Sequence, residues 1–371
     1  MIVAFRISSL GFGGAERVFI SVADYLFRTH KVEIHFVVDR VGTGETEEVV
    51  RNHGFKLLGL ECSRTARSIG PLKNYIDAFR PDVLISAYTD TNMGALISSK
   101  LAKHKCLTIV SEHASLDEHW QHASWKRRLL LNNYVALGYR IADHVLTVSK
   151  GIAGQITQRM HQPEKVSCIY NPVRFSVKGD SLGLANDETL REKKIILAVG
   201  RIAKQKDYSN LLRAFKLVLT RHDALLVIVG GVHEIAEKEL LDTYIASAGL
   251  ASKIEFVGYT DKVETYYRNA DVFVLSSAWE GFGNVLVEAL AFGLPIVSTD
   301  CNYGPAEILS SEKYGMLVPV GDSIAMADAI CRTFDSPVRD KDLLRLRSME
   351  FSEDRIGAQY WDLITNLLVT R

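Results

Sequence analysis

The stretch Asp271-Val-Phe-Val-Leu-Ser-Ser277, followed after Ala278 by Trp279-Glu-Gly-Phe-Gly-Asn-Val-Leu-Val-Glu-Ala-Leu-Ala291, decides the fold. Its first part is a short continuous apolar run, as a parallel strand buried on both faces requires. Its last part has helical spacing. Between them, Gly281-Phe-Gly283 allows the backbone to turn sharply and to approach a ligand closely. The reading is strand, loop, helix, with the helix opening near Asn284. Eight residues would place Glu280 and Glu288 about 80° out of phase on one continuous helix, so the two acids converge only because the glycine loop breaks the chain between them.

The same unit recurs in both directions from this stretch. Apolar runs at Ile195–Val199, Leu225–Val229, Ile254–Val257, Val272–Leu275, Pro295–Ser298 and Met316–Pro319 form one series. A second series occupies Ile2–Ile7, Val32–Val38, Lys56–Leu60, Val83–Ala87, Leu107–Ser111, Val145–Val148 and Val166–Tyr170. Helical segments such as Ala15–Phe27 and Pro71–Phe79 separate them. Alternation of this kind predicts an α/β chain of two doubly wound, Rossmann-like domains facing each other across a cleft. The length of 371 residues agrees with two cores rather than one. Asn171-Pro172 and the polar stretch 178–194 mark the boundary. Residues 1–171 form the first expected domain and 172–353 the second. The last helix, about Asp354–Leu368, is expected to pack back on the first.

Composition excludes several classes. Equal numbers of basic and acidic residues, 44 of each, give no general attraction for nucleic acid. The charge is uneven: residues 1–171 carry 21 Lys and Arg against 16 Asp and Glu, and the remainder 23 against 28. Five scattered cysteines without a C-x-x-C read as reduced core residues, which together with a start that runs straight into a strand suggests a cytoplasmic protein. No run of about 18 apolar residues occurs, so no spanning helix is expected.

Several further strings carry chemistry. Val199-Gly-Arg201-Ile-Ala-Lys-Gln-Lys206 follows the first strand of the second series, placing Arg201 and Lys206 at its carboxyl edge, where a guanidinium fork and an ammonium can neutralise a diphosphate. A helix opening at Asn284 directs its positive end at the same edge. An anion site between two carboxylates fits a nucleotide sugar. Gly11-Phe-Gly13-Gly14-Ala-Glu16 nearly completes the dinucleotide G-x-G-x-x-G string but has Glu16 in the last place. His113 ends another buried strand. His119 and His122 follow it, at a spacing that matches no common zinc site. Trp120, Trp125, Lys126, Arg127, Arg128 and Arg140 make a basic, aromatic stretch that either lies on an anionic membrane or is an ordinary helix with solvated cations; the two readings weigh evenly. Arg64 and Arg67 face either an acceptor phosphate or solvent.

Taken together, these strings resemble glycosyltransferase family 4, the retaining enzymes of GT-B fold, over nearly the whole chain. The resemblance rests on the Glu280–Glu288 run, Gly200-Arg201 with Lys206, Gly13-Gly-Ala-Glu16 and Glu112-His113. It implies a nucleotide-sugar donor held mainly by the second domain. Arg201 and Lys206 would grip the diphosphate and Glu288 the ribose, while Glu280 would meet hydroxyls of the transferred sugar. Gly281, Phe282, Gly283, Asn284, Val285 and Leu286 would surround the phosphates, and Gly258 and Tyr259 the base. Gly13 and Gly14 would approach from the first domain, and His113 would meet the sugar near its 6-position. No cofactor or metal is implied, and no covalent nucleophile is named: the leaving phosphate would itself take the acceptor proton. Gly281-Phe-Gly-Asn284, Tyr170-Asn-Pro-Val173 and Asn302-Tyr-Gly-Pro-Ala-Glu-Ile308 look like the bacterial branch that builds surface glycans on lipid carriers, often from UDP-linked hexoses or N-acetylhexosamines. The expected acceptor is a glycan or a polyprenyl-diphosphate-linked saccharide, with the inner face of the cytoplasmic membrane as a peripheral location.

Three rivals make different demands. A nucleotide-linked oxidoreductase needs an acid after the second strand, where Asp39 stands. A metal-dependent transferase needs an Asp-x-Asp, met only by Asp340-Lys-Asp342. A non-catalytic, two-lobed sugar-binding protein would bind sugar and release no nucleotide.

Overall fold

A computed structural model describes residues 1–11, 13–119, 124–174, 193–336 and 340–371. Contacts divide the chain into two units, Met1–Pro172 with Phe351–Arg371, and Val173–Glu350. Most of the polar stretch 178–194 lies outside the described residues.

The first unit is built on a sheet of seven strands: β1 (Ile2–Arg6), β2 (Glu33–Val38), β3 (Lys56–Gly59), β4 (Val83–Ala87), β5 (Leu107–Glu112), β6 (His144–Thr147) and β7 (Val166–Cys168). They lie in the order β3-β2-β1-β4-β5-β6-β7, every pairing parallel. The central strands have no polar face because helices cover both sides; β4 and β5 are buried at every residue. Strand order reverses between β1 and β4, the place where the two connections leave in opposite directions and a crevice opens.

The terminal helix Glu353–Val369 belongs to this unit. Ile356, Tyr360 and Ile364, spaced as one helical face, are buried in the first unit's core, where the helix packs along the helix Gly14–His30. Burying each such side chain is worth about 1.5–3 kcal/mol. Trp361 stacks on His30 at 3.8 Å between ring centroids. Gly357 is required at its position, because a Cβ there would lie 2.2 Å from the Tyr25 ring.

The second unit repeats the plan with six parallel strands: β8 (Lys194–Val199), β9 (Ala224–Val229), β10 (Ile254–Gly258), β11 (Val272–Leu275), β12 (Ile296–Thr299) and β13 (Met316–Val318). Their order is β10-β9-β8-β11-β12-β13, all pairs parallel. Here the reversal falls between β8 and β11. The loops leaving those two strands carry Arg201, Lys206 and Glu280.

Candidate functional site

In the second unit the site grows from two strand ends. After β8 the chain makes Gly200-Arg201 and then a single tight turn, Lys204–Lys206. After β11 it runs through Ser276, Ser277 and Glu280 to the glycine loop. The two segments are bound together by hydrogen bonds: Ala278 N donates to Gln205 O at 2.8 Å, Gln205 Nε2 to Trp279 O at 3.0 Å, and Ser276 Oγ to Lys206 O at 2.6 Å. Glu280 is buried at 6% exposure, and its Oε1 lies 2.5 Å from Lys206 Nζ and 2.7 Å from Ser277 Oγ. Its backbone is pinned as well, Glu280 N donating to Asn302 O and Tyr303 N to Glu280 O.

Glycines make this closeness possible. A Cβ on Gly200 would come 2.8 Å from Lys206 Cε and 3.1 Å from the Tyr208 hydroxyl, which donates to Gly200 O. A Cβ on Gly304 would lie 1.9 Å from Phe282 O, so the 302–304 loop packs its bare backbone under the glycine loop.

The helix that follows is Asn284–Ala291. Gly283 precedes it in the left-handed region, φ 99°, a conformation that favours glycine and offers no side chain to cap the first turn. Asn284 and Val285 open that turn, whereas Leu286 N, expected to face a phosphate, already donates to Gly283 O at 2.9 Å. Phe282 is buried and anchors the loop, leaving Gly281 half-exposed. Glu288, one turn on, accepts from the buried Tyr267 hydroxyl at 2.7 Å. Arg201 is exposed and has no ion-pair partner among the described residues. Gly258 closes β10 with φ 79°, and Tyr259 beside it is 57% exposed. Lys206, Glu280 and the helix start are therefore brought to one strand end. Lys206 and Glu280, expected to meet different parts of a ligand, are also partners of each other. Ser277, Gln205, Tyr208 and Tyr267 enter the site without having been singled out in the sequence; the hydroxyl-rich Ser276-Ser277 preceding Glu280 was the signal available.

In the first unit, Gly13 caps the helix Gly14–His30 and Glu16 stands at its third position. The Glu16 carboxylate folds over Gly13, where a Cβ would lie 2.2 Å from Oε2, and accepts from the Tyr88 hydroxyl at 3.2 Å. A side chain on Gly13 would have to displace this carboxylate, which stands in the place where a dinucleotide fold keeps a glycine. Nothing lies within 4 Å of a Cβ on Gly14. His113 follows β5, half-buried, with Nε2 3.0 Å from Ser111 Oγ and its ring edge-on to Phe19. Burial holds its imidazole down to about 4, so the ring is neutral at ordinary pH. Glu112 is buried deeper, accepting from Tyr139, from Thr89 Oγ1 at 3.1 Å and from Asn92 Nδ2 at 3.2 Å. Burial outweighs those donors and pushes its carboxyl up to about 7.

The rivals' residues have other occupations. Asp39 pairs with the fully buried Arg6 and accepts from Thr65 Oγ1 at 2.7 Å. Asp340 caps the helix Lys341–Met349, accepting from Asp342 N and Leu343 N. Arg64 and Arg67 flank that Thr65 on an exposed single turn, with no side-chain partner among the described residues. On the helix Trp125–Arg140, Trp125, Leu129 and Leu137 are exposed at 71, 56 and 63%, with Lys126 Nζ 5.5 Å from the Trp125 ring centre. Trp120, His122 and the side chains of His119, Arg127 and Arg128 lie outside the described residues. No helix among the described residues is long and apolar enough to cross a membrane.

Two family models match the chain: Glycosyltransferase Family 4 over residues 12–176 and Glycosyl transferases group 1 over residues 185–346. Among curated proteins, the N-acetylgalactosamine-N,N'-diacetylbacillosaminyl-diphospho-undecaprenol 4-alpha-N-acetylgalactosaminyltransferase of Campylobacter jejuni is 26% identical over 86% of each chain. The lipopolysaccharide 1,6-galactosyltransferase of Escherichia coli is 26% identical over 84% of this chain and 83% of its own. Among solved structures, Anabaena HepE in complex with UDP superposes with a TM-score of 0.83 at 18% identity, over 99% of this chain and 100% of that one. That likeness is one of fold.

Proposed function

We propose, from the premise that this chain belongs to glycosyltransferase family 4, that it moves a hexose or N-acetylhexosamine from a UDP-sugar to a lipid-linked saccharide in bacterial surface-glycan synthesis, with retention and without a metal. The observation that carries the proposal is the grouping at the reversal point of the second sheet: Lys206, buried Glu280 and an uncapped helix start on adjoining strand ends. Heterolysis of the anomeric bond leaves positive charge on the sugar and negative charge on the nucleotide diphosphate. Arg201, Lys206 and the Asn284 and Val285 amides are the groups to stabilise the departing diphosphate, the Leu286 amide being held on Gly283 O. Two cations and a helix end at that position supply what a metal supplies elsewhere. Glu280 and Glu288 are the acids for sugar and ribose hydroxyls, and Gly258 with Tyr259 the edge for the base. In the first unit, Gly13, Gly14 and a neutral His113 would meet the donor sugar.

The lipid-linked acceptor is supported by the diphospho-undecaprenol in the Campylobacter relative's name, and the sugar class by the names of both relatives. The "alpha" in the former supports retention, since an α-configured donor giving an α-linked product keeps its configuration. Arg64 and Arg67 are the exposed cations offered to the acceptor's diphosphate. The face bearing Trp125, Lys126 and Leu129 is offered to an anionic membrane, placing the protein peripherally on the cytoplasmic side.

A thermal-shift panel of UDP-, GDP- and ADP-sugars, followed by turnover of UDP-N-acetylgalactosamine, UDP-galactose and UDP-glucose with undecaprenyl-diphosphate-linked saccharides, tests this. UDP-sugars are expected to stabilise and one to be turned over with its anomeric configuration kept. Stabilisation by GDP- or ADP-sugars alone sinks the UDP assignment. Binding of a sugar with no nucleotide released sinks the transferase reading.

A further inference from the structure

Ser277 stands three residues before Glu280, just beyond β11, and its side chain is fully buried. Its hydroxyl donates to Glu280 Oε1 at 2.7 Å, while its carbonyl accepts from Thr299 Oγ1 at 2.6 Å. The backbone of Ser277 is thus tied to β12 independently of its hydroxyl. Glu280 Oε1 has two close donors, Ser277 Oγ and Lys206 Nζ. Glu280 Oε2 is different: its contact is Gln205 Nε2 at 3.5 Å, a distance too long for a strong bond. The Gln205 amide is itself held on Trp279 O at 3.0 Å, and its backbone carbonyl on Ala278 N at 2.8 Å. One carboxylate oxygen is saturated, and the other keeps acceptor capacity. A carboxylate at 6% exposure has little water to fix its plane, so these neighbours fix it.

We propose that Ser277 and Gln205 are positioning residues for Glu280: Ser277, with Lys206, occupies Oε1, Gln205 borders Oε2, and the carboxylate is thereby turned so that Oε2 is the oxygen presented to a hydroxyl of the transferred sugar. This rests on the reading of the second unit as a donor site. Neither residue touches the reacting atoms; both act through the orientation of one acid, an effect that belongs in kcat rather than in nucleotide affinity.

The test compares Ser277→Ala, Ser277→Thr, Gln205→Met, Glu280→Gln and Ser277→Ala/Glu280→Gln. Turnover is read as UDP released from whichever of UDP-N-acetylgalactosamine, UDP-galactose and UDP-glucose the wild type uses, UDP affinity by calorimetry and folding by thermal midpoint. Ser277→Ala is expected to lower kcat about ten- to a hundredfold, the cost of losing a bond to a charged group and loosening its geometry. UDP affinity should stay within about twofold, because the lost bond is not to the nucleotide. Ser277→Thr, which keeps the hydroxyl, is expected to recover most of the loss. Adding Ser277→Ala to Glu280→Gln should cost almost nothing more. Gln205→Met, at a half-buried position, gives a second arm should Ser277→Ala fold poorly, with a smaller loss in the same direction. Wild-type kcat in Ser277→Ala, full additivity with Glu280→Gln, or a parallel loss of UDP binding overturns the proposal. Wild-type turnover in Glu280→Gln would overturn the donor-site reading instead, so the two failures are distinguishable.

Discussion

Lys206 Nζ lies 2.5 Å from Glu280 Oε1, joining the turn after β8 to the loop after β11 at the place where strand order reverses. Both side chains are largely buried, at 13 and 8% exposure. On the proposed reading an arriving diphosphate competes for Lys206 as sugar hydroxyls reach Glu280, so binding exchanges one set of partners for another and neither charge is left bare. Nucleotide without sugar satisfies half of that exchange.

The pair makes a stability prediction. Lys206→Met leaves a buried carboxylate with no cation, and breaking such a pair by removing one partner costs roughly 3–5 kcal/mol when burial is complete, somewhat less here. Lys206→Met/Glu280→Gln removes the stranded charge and is expected to be more stable than Lys206→Met alone. Urea unfolding of wild type, Lys206→Met, Glu280→Gln and the double variant measures it. A double variant as unstable as the sum of the singles would show that the two groups do not interact.

Asp39 separates structure from cofactor binding. It neutralises Arg6, whose guanidinium is fully buried and also donates to Ile7 O and Val37 O. Asp39→Asn is expected to cost about 3 kcal/mol or more of stability, since a buried cation loses its partner, and to leave UDP affinity unchanged in the folded fraction. NAD binding by the wild type that Asp39→Asn abolishes would revive the oxidoreductase.

Much of the fold was legible because parallel strands covered on both faces write themselves as uninterrupted apolar runs; the 13 strands among the described residues coincide with runs such as Val83–Ala87 and Val272–Leu275. The break at Gly281–Gly283 and the helix start at Asn284 were legible for a similar reason: they are local, set by glycine and spacing. What was not legible is pairing across the sheet. Nothing in the spacing of residues 206 and 280 announces an ion pair between loops 74 residues apart. Ser277 and Gln205 read as ordinary polar loop residues until β8 and β11 are set side by side. Glu16 was visible as a departure from a glycine pattern, but its folding over Gly13 depends on Tyr88, brought near by the neighbouring strand.

Glu112 gives a pH dependence with a definite sign. Burial keeps its proton on in the folded chain up to about 7, whereas the unfolded side chain releases it near its ordinary value of 4.5. Between those values the folded state binds the extra proton, so this group's contribution to stability falls as pH rises. His113 and His144, both held down to about 4 by burial, act oppositely and erode stability as pH drops from 6.5 toward 4. Glu112→Gln removes the first effect alone. The stability of Glu112→Gln relative to wild type should therefore rise from pH 5 to 7 and level off above, by at most on the order of 3 kcal/mol. A difference that stays flat from pH 5 to 7 would refute the assignment.

Gly304 tests the support beneath the glycine loop. It lies at φ 105°, and a Cβ there would meet Phe282 O at 1.9 Å. Gly304→Ala must push the 302–304 segment away, and with it Asn302 O and Tyr303 N, which hold the Glu280 backbone. The expected result is a loss of about 1–3 kcal/mol from backbone strain and, in the folded protein, a turnover defect in the same direction as that of Glu280→Gln. Normal turnover would show that Glu280 does not depend on this support.

The exposed face of the helix Trp125–Arg140 is the membrane prediction. Trp125, Leu129 and Leu137 stand out at 71, 56 and 63% exposure, beside Lys126 and with the exposed Arg140 at the helix end. Apolar side chains entering a headgroup layer gain on the order of 1–2 kcal/mol each, and nearby cations add about 1 kcal/mol apiece only when the lipid is anionic. Flotation with vesicles containing phosphatidylglycerol should therefore exceed flotation with phosphatidylcholine alone and weaken as salt is raised. Trp125→Ala/Leu129→Ser should weaken binding about tenfold or more on either lipid, while Lys126→Glu should reduce the preference for anionic vesicles. Equal flotation on both lipids, or none lost in the double variant, would return this helix face to plain solvent.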